Sequence, residues 1–153
     1  ERLPLGAIIE VPAAAIALHA LADAVDFMSI GTNDLVQYLL AADRNHEGLG
    51  ELHSPLHPGV LRLLRHVIAA GAEHGVPVAV CGEMAGDATL APLLLALGLK
   101  EFSLHPANLL ELRQAIRDTD LGALQARTPE LLKARDRKGI ERWLEDSRAG
   151  AAG

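Results

Sequence analysis

Phe27-Met-Ser-Ile-Gly-Thr-Asn-Asp-Leu-Val-Gln-Tyr-Leu-Leu-Ala-Ala42 passes from a short apolar run, through a polar turn, into a helical stretch within sixteen residues. Phe27 to Ile30 predicts a buried strand, Gly31 to Asp34 a tight turn, and Leu35 to Ala42 a helix. Three other stretches repeat this order. Leu5-Gly-Ala-Ile-Ile-Glu-Val11 is too continuously apolar for a half-exposed strand and reads as a buried parallel one. Pro12 follows it where a first helical turn tolerates a missing N–H, and Ala13 to Ala24 is rich in helix formers. Val76 to Cys81 predicts a third strand, with the loop Gly82 to Asp87 and a helix from Ala88 to Leu97 that Gly98 ends. Glu101 to Leu104 predicts a fourth, followed by His105-Pro106 and a helix from Ala107 to about Asp118. No hairpin signature separates any two strands, so the fold class is α/β, four βα units on a parallel sheet.

Between the second and third units lie a polar loop, Asp43 to Pro58, and an amphipathic helix, Gly59 to His74. That helix carries Val60, Leu61, Leu64, Val67 and Ile68 on one side, and Gly75 is placed to close it in a left-handed conformation. Long loops of this kind tend to be functional. The tail reads as one or two polar helices, with a partial apolar stripe of Leu131, Leu132, Ile140, Trp143 and Leu144 and a frayed Ala-Gly end.

Composition narrows the function classes. The 153 residues carry a formal charge of −6, which argues against a nucleic-acid surface. Residues 1–126 hold seven basic and fifteen acidic side chains, whereas residues 127–148 hold seven and five, which marks a boundary near Leu121 to Thr128. The expected organisation is therefore a βα domain over residues 1–120 and a helical tail over 121–153. One cysteine, Cys81, excludes an internal disulfide framework and fits a reducing cytoplasm. No membrane segment is visible. The first residues lack Met and run straight into a strand, so the chain reads as cut from something longer.

Catalytic groups of parallel α/β proteins gather where strands end, and every predicted strand here ends in polar or reactive residues. Glu10 and Asp34 are two hard oxygen ligands at adjacent strand tips, the pattern of a magnesium site working on a phosphorylated substrate. Capping a helix or pairing with an arginine is the other reading. Gly31-Thr32-Asn33 suits a phosphate at a helix start, or is simply a tight turn. Arg44 offers a fork for phosphate or is a solvated loop residue. Cys81 is placed to exchange a proton with substrate, or is a small buried hydrophobe. The seven histidines show no metal-ligand spacing, because Pro55 and Pro58 break any helix that would align His53 and His57. No nucleophile elbow, Walker loop or dinucleotide fingerprint is present.

The stretch Asp26 to Arg44 closely resembles the signature of the PEP-utilising enzymes. Gly6-Ala-Ile-Ile-Glu-Val-Pro-Ala-Ala14 and Val80-Cys-Gly-Glu-Met-Ala-Gly-Asp87 fall in the family's order, and the resemblance covers roughly residues 5–118. The Tyr38 context, Asp43-Arg44-Asn45, Ser54-Pro-Leu-His-Pro58 and Glu101-Phe-Ser-Leu104 are more similar to the enzyme I branch of the phosphotransferase system than to the dikinases. Ile9 and Val36 depart from common Met and Thr, without touching the charge chemistry. The resemblance implies the C-terminal half of a TIM-type (β/α)8 barrel. It implies Mg2+ held by Glu10 and Asp34, PEP phosphate held by Asn33 and Arg44 with Asp34 counted in the substrate site as well, and Cys81 as the acid that protonates enolpyruvate. It also implies a cytoplasmic homodimer, pyruvate as product, and a phosphocarrier protein as partner through an N-terminal module that bears the phosphoryl-accepting histidine. That module and the first four barrel strands are missing, so the chain alone is expected to be inert. A pyruvate phosphate dikinase or PEP synthase domain, or a non-catalytic regulatory barrel, is the alternative.

Overall fold

The computed structural model describes residues 2–49 and 52–149. Gly50 and Glu51 of the long loop, and the Ala-Gly end, lie outside the described residues. Four parallel strands form one sheet in the order β1 (Gly6–Ile9), β2 (Phe27–Gly31), β3 (Val78–Cys81), β4 (Glu101–Phe102). Ile9 pairs with Ile30, Gly31 with Cys81, and Val80 with Phe102. Between the strands run α1 (Pro12–Ile16), α2 (Leu18–Ala22), α3 (Thr32–Leu40), α4 (Pro58–His74), α5 (Glu83–Gly86) and α6 (Ala91–Ala96), with α7 (Leu109–Arg117), α8 (Leu121–Lys133) and α9 (Arg137–Ala149) after β4.

The four βα units appear in the predicted order. The helix expected over Ala13 to Ala24 is two five-residue helices that meet at Ala17, and α3 starts at Thr32, three residues before its predicted start. The loop after β3 contains one helical turn, α5, and β4 is only two residues long. The α4 boundaries follow from local chemistry. Pro58 sits in the first turn, the His57 ring accepts a hydrogen bond from the Gly59 N–H at 3.1 Å, and Gly75 ends the helix at φ 69°.

Parallel neighbours share a face, and here the two faces differ. Ile9, Ile30 and Val80, all fully buried, point into the helices. The opposite row, Ile8 with Ser29 and Ala79, is less covered by the described residues, and Ile8 is 60% and Phe27 45% exposed. The continuous apolar runs predict burial on both sides, so half of that expectation is met within the chain.

Where the strands begin, a clamp sets the β1–β2 register. The Asp26 carboxylate accepts hydrogen bonds from the Leu5 N–H at 2.7 Å and twice from Arg2 at 2.8 Å, while the Asp26 N–H donates to the Leu5 carbonyl. The Leu5 N–H and then the guanidinium hold this carboxyl below its ordinary range.

The tail helices are less polar in their packing than in their composition. Leu124, Leu131, Ile140, Trp143 and Leu144 are buried in the same core as the sheet's inner face, with α8 against α6 and α4, and α9 against α6 and α8. The Trp143 indole donates to the Arg127 carbonyl at 3.2 Å under the Arg127 guanidinium, and Arg62 donates to the carbonyls of Leu132 and Ala134 at the end of α8.

Candidate active site

Glu10, Gly31 and Cys81 form one level across the open face, at the C-terminal ends of three adjacent strands. Glu10 follows Ile9, which pairs with Ile30, and Gly31 pairs with Cys81. The Glu10 side chain lies over Gly31: a Cβ at Gly31 would stand 2.6 Å from Glu10 Cγ and 2.7 Å from Oε1. The missing side chain of Gly31 is thus the space into which the carboxylate folds. On the other flank the Cys81 thiol donates to the Ile30 carbonyl at 3.4 Å, a contact only the protonated sulfur makes.

The first turn of α3 is latched to the tip of β3. Thr32, buried, donates its hydroxyl to the Cys81 carbonyl at 2.8 Å, and the Glu83 N–H donates to Asn33 Oδ1 at 2.9 Å. The latch requires Gly82, whose φ of 87° and ψ of −167° suit glycine alone and whose absent Cβ would meet both Asn33 Oδ1 and Thr32 Oγ1 at 2.7 Å. With its oxygen engaged, Asn33 has amide N–H groups without an acceptor among the described residues, at the start of a nine-residue helix. Asp34 is half-buried in the same turn.

Arg44 is not drawn into this group. Ala41, left-handed at φ 51°, ends α3, and the Arg44 N–H donates to Gln37 Oε1 at 3.3 Å. Its side chain is exposed, and among the described residues no hydrogen bond or ion pair ties the guanidinium to the strand ends.

Beside Asn33 a cavity of about 230 Å3 is lined by Thr32, Asn33, His53, Pro55, Glu83 and Asp87 among others, and His53 Nε2 is buried with no partner among the described residues. By spacing His53 reads as a loop and surface residue, since Pro55 and Pro58 break any helix that would align it with His57 and nothing local marks a loop histidine as facing a strand end. A larger cavity, about 520 Å3, lies elsewhere, between Thr89, Asp118, Ser147 and Arg148.

Among the described residues no group of three His, Cys, Asp or Glu converges as a metal cage. Glu10 and Asp34 have the donor chemistry of magnesium, which keeps several waters and is commonly held by one or two carboxylates plus substrate phosphate. The cradle at Gly31, shaped for the Glu10 carboxylate, is consistent with that donor set.

Residues 1–121 match the family described as PEP-utilising enzyme, PEP-binding domain, and the chain belongs to that family. Its similarity reaches named relatives. It is 48% identical over 134 residues to the phosphoenolpyruvate-protein phosphotransferase of Cupriavidus necator, covering 88% of this chain and 23% of the relative. Similarity to the proteins of the same name from Listeria monocytogenes (48% over 120 residues, 78% and 21%) and Enterococcus faecalis (42% over 134 residues, 88% and 23%) is comparable. The chain therefore spans about a fifth of the length of the relatives it matches.

Proposed function

We propose that this chain is part of a phosphoenolpyruvate-protein phosphotransferase, enzyme I of the phosphotransferase system. Residues 1–120 supply the second half of its PEP-binding (β/α)8 barrel, and residues 121–153 a helical tail. The observation that carries this reading is the row at the strand ends, with a carboxylate cradled on Gly31 between a thiol and the free amide of Asn33. The open sheet face supports it too. Half-exposed Ile8 and Phe27 would each gain about 1 kcal/mol from cover, and the inward-facing residues of a closed barrel are packed in that way.

Glu10 and Asp34 would hold Mg2+, which would supply charge neutralisation at the phosphoryl oxygens. Asn33 donates its amide N–H to the phosphate, and Arg44 swings from solvent to clamp it. The enol O–P bond breaks as a P–N bond forms to a histidine supplied by another part of the protein, the alignment and charge balance doing most of the work. Cys81 gives its S–H proton to C3 of the enolpyruvate left behind, pyruvate departs, and solvent restores the thiol. A phosphocarrier protein takes the phosphoryl group onward. The protein works in the cytoplasm as a homodimer, and no described helix is long and apolar enough to cross a membrane.

The test uses the longer protein: Mg2+-dependent formation of an acid-labile phosphohistidine from PEP, with pyruvate release. Cys81→Ser should slow pyruvate release by about 10²–10⁴-fold, the usual worth of a general acid, while leaving Mg2+-dependent PEP binding intact. Unchanged release would remove Cys81 from the chemistry. Absence of any PEP-dependent phosphorylation would sink the whole reading.

A further inference from the structure

At the other end of the sheet, where the strands begin, residues far apart in the chain meet across the contact between α2 and α4. His19 Nδ1 and His74 Nε2 approach to 2.8 Å, and His74 Nδ1 lies 3.0 Å from Asp23 Oδ1. The His66 ring stands edge-on to that of His19, 6.2 Å between centroids. A carboxylate only accepts, so Asp23 fixes the His74 proton on Nδ1 and leaves the Nε2 lone pair aimed at His19, which donates its Nδ1 proton. One ring nitrogen on a carboxylate and the other lone pair directed at a shared point is how metal-binding histidines are held.

We propose that His19 and His74 form a seat for a divalent transition ion of the zinc class, with Asp23 as the positioning residue, stapling α2 to α4. The ion takes the place of the shared proton, which passes through solvent to His19 Nε2. Two Zn–N bonds of about 2.0–2.1 Å at a tetrahedral angle put the nitrogens about 3.3 Å apart, so the rings part by roughly 0.5 Å. The exposed His19 on a five-residue helix allows that movement. Since no third His, Cys, Asp or Glu already surrounds the point among the described residues, water completes the coordination. Imidazole selects zinc, copper or nickel over magnesium, so this seat is independent of the PEP chemistry.

Chelator-treated protein titrated with Zn2+ by calorimetry, without PEP or Mg2+, tests it. One saturable equivalent is expected, lost in His19→Ala and in His74→Ala, and unchanged in His105→Ala. Asp23→Asn should weaken it by about 10–100-fold with both ligands present. His19 is exposed, so its variant keeps the test decisive if His74→Ala folds poorly. No saturable binding up to millimolar zinc, or equal binding by His19→Ala, overturns the proposal. Unchanged affinity in Asp23→Asn removes the positioning role.

Discussion

Gly31→Ala separates the site's geometry from its stability. Gly31 has φ −82° and ψ 89°, outside the left-handed region, so alanine brings no strain from positive φ. The new methyl would stand 2.7 Å from Glu10 Oε1 and 2.6 Å from Cγ, where ordinary contact begins at 3.4 Å. The carboxylate must therefore move by about 0.7 Å or change rotamer. Its end is flexible and only half-buried, so the cost to folding is about 0.5–1.5 kcal/mol, one off-rotamer side chain. Magnesium is far less forgiving, because it demands near-octahedral geometry at about 2.0–2.1 Å, and a 0.7 Å displacement is a third of the bond. We expect a melting temperature lowered by a few degrees and Mg2+-dependent PEP binding weakened at least tenfold, about 1.4 kcal/mol. Calorimetric titration of PEP across a range of Mg2+ concentrations, in protein carrying the whole PEP-binding domain, measures it. A folded Gly31→Ala protein with unchanged Mg2+ dependence would show that the Glu10 carboxylate over Gly31 is not a metal ligand.

Three further outcomes follow from named contacts. Gly82→Ala should cost about 1–3 kcal/mol of stability, because its backbone conformation suits only glycine, and should weaken PEP binding by displacing Asn33; denaturant titration and PEP titration read the two effects. Asp26→Asn should lower the melting temperature at neutral pH. The depressed carboxyl contributes stability fully above its ordinary value of 3.8 and loses it as pH falls through the lower folded value, so the two melting curves should converge in strong acid. Trp143→Ala should destabilise the protein by about 3–5 kcal/mol in a single cooperative transition, because the tail helices share the core of the sheet, and a separate early transition would contradict that sharing.

Several features were legible in the linear chain because their causes are local. Period and punctuation marked the four βα units, Pro58 and Gly75 bounded α4, and the strand-end positions of Glu10 and Cys81 followed from where each apolar run stops, whereas Asp34, expected at a strand tip, sits in the first turn of α3. The tail was harder. Composition marked it as polar, and only packing revealed that Trp143, Ile140 and Leu131 complete the main core. His53 was illegible for the same reason, since a loop residue has no periodicity to say what it faces.

What the sequence by itself determined is the order of elements, the parallel sheet and the chemical groups at the strand ends, since these depend on residue type and spacing of a few positions. Tertiary structure alone decided that Glu10 folds into the space Gly31 leaves, that Asn33 spends its oxygen on Glu83 and keeps its N–H groups, and that His19 meets His74. Each of these joins residues brought together from different elements, and contacts of that kind depend on the register and packing of the whole sheet, which no local window of sequence contains.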